Sequence, residues 1–137
     1  MTLAEAAPAA AARTWVRVCA VADLEVERGR AALLGSTQIA LFLLPTGTVH
    51  AVSNYDPYGD ANVISRGIVG TRRFVETGQD PEQGQDAPTV ASPLYKQVFD
   101  LRTGACLDTQ GKDPKSLRVW PVAVSDGDVF IRWEGEL

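Results

Sequence analysis

Apolar residues along this chain come in short runs cut by turn chemistry, and nowhere at the spacing of a long helix. Residues 14–18 place apolar side chains at alternate positions around Trp15 and Val16, which predicts a first strand. Arg28, Gly29 and Arg30 break the chain before a short apolar run at 31–34, and Gly35 opens a turn. Residues 38–44 are almost continuously apolar, long enough for a buried strand. Pro45 and Gly47 then supply a turn, one by fixing φ and the other by accepting a positive φ. Residues 49–52 return as the partner strand, completing the clearest hairpin in the sequence.

The pattern changes at Asn54. Residues 54–60 are turn chemistry, 61–65 predict one helical turn, and Gly67 and Gly70 lead away from it. Residues 71–88, rich in Gly, Gln, Asp, Glu, Pro and Arg, predict a long exposed mobile loop. Strand signals resume at 89–91. Residues 97–101 and 105–107, joined through Gly104, predict a second hairpin, and 110–115 another loop. Residues 118–124 and 129–133, joined through Asp126-Gly127, predict a third hairpin. The expected fold is mainly β: an antiparallel sandwich or barrel over residues 14–137, preceded by a flexible Ala-rich tail at 1–13.

Composition narrows the function classes. The chain has 137 residues, enough for one domain and one core. The net charge of −4 argues against nucleic-acid binding, which needs clustered Lys and Arg. No apolar run approaches the ~20 residues of a membrane span. In the tail the only base, Arg13, comes last, whereas a signal peptide begins with basic residues. A cytoplasmic protein is the expectation.

The chemistry that is missing is informative. The single histidine, His50, sits in a predicted strand between apolar neighbours and reads as a sheet residue. Cys19 and Cys106 are far apart and read as packed thiols. One His and two distant Cys can supply neither a structural zinc site nor the Cys₂His₂ set of a Rieske [2Fe–2S] centre. No dinucleotide or phosphate-binding glycine loop is present, and nothing places a serine on a nucleophile turn near His50. Any redox role must run through a partner.

Two segments do not look like filler: Asn54-Tyr-Asp-Pro-Tyr-Gly-Asp-Ala61 with Ser65-Arg-Gly-Ile-Val-Gly70, and Ser92-Pro-Leu-Tyr-Lys-Gln-Val-Phe-Asp-Leu101 with Thr103-Gly-Ala-Cys-Leu107. A Rieske domain reads Cys-x-His at the first and Cys-Pro-x-His-Gly at the second, followed by Phe-Asp and a Thr-Gly turn. Here Asp56 and Tyr58, Ser92 and Tyr95 stand at the ligand positions. The chain thus resembles a Rieske domain that has lost all four cluster ligands. It is similar, from about Trp15 to Trp133, to the small subunit of assimilatory NAD(P)H-dependent nitrite reductase, the NirD family.

That resemblance implies a Rieske-like β-sandwich with a small subdomain carrying the two former ligand loops. It implies no cofactor on this chain. FAD, a [4Fe–4S] cluster and sirohaem are expected on a large catalytic subunit, the implied partner, which reduces nitrite to ammonium. Tyr58, Arg66, Tyr95 and Lys96 are the candidate docking residues, aromatic anchors beside cations. The competing reading is structural: Asp56 and Ser92 bond neighbouring amides while the tyrosines pack over the vacated space. Two other functions compete, a Rieske-type ferredoxin, which the missing ligands oppose, and a binding module for another oxidoreductase.

Overall fold

A computed structural model describes residues 14–74, 78, 80, 82, 84–135 and 137. Its centre is the apolar run read from the sequence. β3 (Thr37–Leu43) lies between β2 (Gly29–Leu34) and β4 (Val49–Ser53), antiparallel to both, and β11 (Val119–Trp120) pairs β4 on its far side. Side chains alternate across a strand, so this sheet has two apolar faces. Ile39, Leu41 and Leu43 point into one core, with Leu34, Val49, Trp120, Val129, Ile131 and Trp133. Ala40, Phe42 and Leu44 point into the other, with Val52, Ile64, Val90, Phe99, Leu101 and Leu117. A strand with no solvent face has no reason to alternate polar and apolar residues, which explains the unbroken run.

Each core is closed by a further sheet. The first is covered by β1 (Thr14–Ala20), β13 (Asp128–Trp133) and β12 (Val122–Ser125), in the order β1-β13-β12. The second is covered by β7 (Ile68–Phe74), β8 (Gln85–Ala91), β9 (Val98–Asp100) and β10 (Cys106–Asp108), in the order β10-β9-β8-β7. A short ribbon of β5 (Tyr55–Asp56) and β6 (Ala61–Asn62) lies outside these layers. This is the antiparallel sandwich the pattern predicted.

Three expectations need correction. Residues 71–88 are not loop throughout: 71–74 belong to β7 and 85–88 to β8, and Thr71 pairs with Pro88 through to Phe74 with Gln85. Their polar composition misled because β7 is an edge strand, held by backbone pairing; Thr71, Arg72 and Arg73 are exposed while Ala87 and Thr89 on β8 are buried. What remains of that loop, and the 1–13 tail, falls mostly outside the described residues. Residues 118–124 are also not one strand. Pro121 has no N–H to give a ladder, and the chain changes sheets there, from β11 beside β4 to β12 beside β13. The helical turn expected at 61–65 is a 3-10 turn at Ile64–Arg66, following β6.

Candidate functional site

Three loops meet at one end of the β7–β10 sheet: residues 54–66, 92–97 and 109–118. The first is fixed by Asn54, which is buried. Its side-chain amide donates to Gln38 Oε1 at 3.0 Å, and its Oδ1 accepts the Ser65 N–H at 2.7 Å. Both ends of the loop are therefore tied to one side chain at the end of β4.

The first two of these loops are joined directly. Ser92 Oγ donates to Asp56 Oδ2, and both side chains are completely buried. Asp56 Oδ1 accepts from the Tyr58 and Gly59 amides at 2.8 and 3.2 Å, and Ser92 Oγ accepts from the Leu94 amide at 3.2 Å. So Asp56 and Ser92 do bond neighbouring amides, and they also bond each other across 36 positions of sequence. Gly59 keeps the junction tight, since a Cβ there would overlap the Leu94 side chain.

Tyr58 is half-buried and faces inward. Its ring packs on Phe99 with centroids 6.2 Å apart, and its hydroxyl donates to the Asp113 carbonyl at 2.7 Å while accepting the Lys115 amide at 2.8 Å. Lys115 Nζ lies 5.6 Å above the ring. Burial, and then the neighbouring Cys106, push the Tyr58 hydroxyl above the ordinary tyrosine range. Tyr58 thus staples the first loop to the third. Tyr95, by contrast, is 60% exposed, and Leu94 beside it 43%.

Between these loops lies a cleft of about 680 Å³ lined by Tyr58, Tyr95, Gln97, Gln110, Lys112, Asp113 and Lys115. Of the four candidate docking residues, it contains Tyr58 and Tyr95. Lys96 is exposed on its rim, with its carbonyl accepting from Gln110 Nε2 at 3.4 Å. Arg66 is exposed on the 3-10 turn that packs against β2 and β3, and does not line the cleft. Sequence reasoning read 110–115 as a loop but made neither it nor Gln97 part of the site. The signal available was lysine placement: the chain has ten arginines but only three lysines, and all three, Lys96, Lys112 and Lys115, fall here.

The remaining candidates lie elsewhere. His50 is in β4, where burial pushes its pKa below the usual histidine range against the opposing pull of Asp100. Cys19 is buried in the first core, and burial pushes its thiol up. Among the described residues no group of three or more His, Cys, Asp and Glu is placed to hold a metal. A Rieske cluster does not fit the tip: Asp56, Tyr58, Ser92 and Tyr95 offer neither thiolate nor imidazole, and the first and third are bonded to each other.

The sandwich, with two loops closed onto each other by hydrogen bonds at its tip, is a Rieske-like domain: residues 14–132 match the family model described as a Rieske-like [2Fe-2S] domain. The nitrite reductase (NADH) small subunit of Escherichia coli K12 is 34% identical over 119 residues, 86% of this chain and 96% of that protein. A solved chain from Mycobacterium tuberculosis, assigned as an NADH-dependent nitrite reductase small subunit, is 39% identical with a TM-score of 0.69, covering 88% of this chain and 95% of that one. The chain belongs to the family of nitrite reductase small subunits. It is also 36% identical over 128 residues to a Klebsiella oxytoca protein named nitrite reductase [NAD(P)H] large subunit; there it spans 93% of itself but only 12% of the relative.

Proposed function

We propose that this chain is the cofactor-free small subunit of a cytoplasmic, assimilatory NAD(P)H-dependent nitrite reductase, docking its former ligand tip on the large catalytic subunit. That subunit carries the FAD, [4Fe–4S] and sirohaem that take nitrite to ammonium. The observation that carries the reading is the Asp56–Ser92 bond. It keeps the two loops together without a metal, so the tip persists as a fixed surface. The Klebsiella relative supports the choice of partner, because a domain similar to this one is there part of a protein named as the large subunit. Tyr95 and Leu94 give the tip exposed apolar area of the kind that anchors interfaces.

Two measurements test this. Elemental analysis of the purified chain should find no stoichiometric iron, and anaerobic reconstitution should give no visible charge-transfer band. Iron in stoichiometric amount would overturn the cofactor-free assignment. In a binding assay, Tyr95→Ala should lower affinity for the large subunit roughly thirty-fold, about 2 kcal/mol, while leaving the stability of the free chain unchanged. Tyr58→Ala should reduce both, since its hydroxyl holds the 109–118 loop. Parent-like binding by both variants would mean that the tip is not the docking surface.

A further inference from the structure

Gln97 is 1% exposed and lines the cleft, yet its side-chain Oε1 has no hydrogen-bond partner. A buried carbonyl left unpaired is costly, and most buried polar side-chain atoms in folded proteins are satisfied. Its backbone carbonyl is in use, accepting the Ser92 amide at 2.9 Å. The residue is therefore held in place at the wall of the cleft, and its side-chain amide carries a buried, unused acceptor. Around it the chain, acidic overall, concentrates all its lysines. Lys112 and Lys115 line the cleft and Lys96 stands on the rim, against one carboxylate, Asp113. Lys115 is partly engaged by the Pro57 carbonyl at 3.4 Å and by the Tyr58 ring. No hydrogen bond or ion pair engages the Lys112 ammonium among the described residues, and the residue is exposed.

We propose that the cleft is a socket for an acidic side chain on an extended segment of the large subunit. The Asp or Glu carboxylate pairs with Lys112, steered by Lys96 and Lys115. The Gln97 amide, whose Oε1 no other group holds, turns to hydrogen-bond the peptide group beside that residue. The inference rests on the reading that the tip docks on the large subunit, and it names what the tip recognises. The exposed Tyr95 on one wall, with exposed Leu94 next to it in the chain, favours a protein segment over a free small anion, because the two extend the contact with apolar area beside the socket. The positive rim on a negative chain supplies charge complementarity, which acts mainly on specificity and on-rate.

The test is calorimetric titration of the full chain into the purified large subunit, at low and at high salt. Lys112→Glu should weaken binding about tenfold or more at low salt, with the deficit shrinking at high salt as the charges are screened. Gln97→Leu removes a neutral hydrogen-bonding amide, so it should weaken binding about tenfold at both salts. Because Gln97 Oε1 bonds nothing in the free chain, Gln97→Leu should not lower the urea midpoint of the free protein, whereas a mere packing role would. Loss of stability and affinity together in Gln97→Leu would overturn the socket. So would an effect of Lys112→Glu alone, which would leave only diffuse steering. If both variants bind like the parent while Tyr95→Ala is weakened, the socket is wrong and tip docking stands. If Tyr95→Ala is also parent-like, tip docking itself fails.

Discussion

Replacing Asp56 by alanine is expected to cost about 3–4 kcal/mol of stability and to abolish measurable docking on the large subunit. The carboxylate is completely buried and accepts three hydrogen bonds: one from Ser92 Oγ, and one each from the Tyr58 and Gly59 amides. Alanine leaves all three donors without their acceptor in a place water does not reach, and each orphaned donor costs about 1–3 kcal/mol before relaxation. Relaxation here means separation of the loops, since the Asp56–Ser92 bond spans them. The Asp56→Asn change keeps an oxygen for the two amides but turns an amide donor toward Ser92, whose Oγ must then accept. It should cost about 1 kcal/mol. Urea unfolding of the three proteins checks the order, with the midpoint falling from parent to Asp56→Asn to Asp56→Ala at constant slope. An Asp56→Asn midpoint equal to the parent's would show that the cross-loop bond contributes nothing beyond the local turn.

That bond also marks where the sequence stops being readable. The layered fold was legible because its signals are local. An unbroken apolar run over residues 39–43, a two-residue Asp126-Gly127 connection and the turn at Pro45 each carry their own geometry. Strand pairing at the edges was not, because Thr71, Arg72 and Arg73 are exposed and their composition is that of a loop. The split at Pro121 was visible in principle, since a proline inside a strand run demotes it, but which sheet each half joins is a tertiary fact. At the tip, the motifs singled out Asp56, Tyr58, Ser92 and Tyr95. Their fates did not follow: Asp56 and Ser92 are 36 positions apart and satisfy each other, Tyr58 turns inward and Tyr95 outward. An aromatic at a tip position gives no hint of which way it faces. The 109–118 loop carried no motif, and its role appears only when Tyr58 reaches across to Asp113 and Lys115.

How that third loop is held gives the other large effect. Gly104 has φ of +79° in the turn after β9, and its carbonyl accepts the Leu117 amide at 2.8 Å while its own amide donates to the Asp100 carbonyl at 2.7 Å. A Cβ on Gly104 would overlap the Leu117 carbonyl oxygen and stand 2.9 Å from its carbon. Leu117 is buried in the second core, and the chain on its N-terminal side forms one wall of the cleft. Gly104→Ala must therefore either strain the turn or push Leu117 out of the core and loosen that wall. We expect a loss of about 3–5 kcal/mol, the combined cost of a left-handed alanine and a displaced core leucine. Gly127 provides the comparison: its φ is +78°, and nothing lies within 4 Å of where its Cβ would be. Gly127→Ala carries the backbone strain alone and should cost about 1 kcal/mol. The difference between the two variants in urea unfolding measures the Gly104–Leu117 contact with the strain subtracted. Equal losses would mean that the 109–118 loop yields freely. In that case the cleft wall would not be held from the core, and Tyr58 alone would fix it.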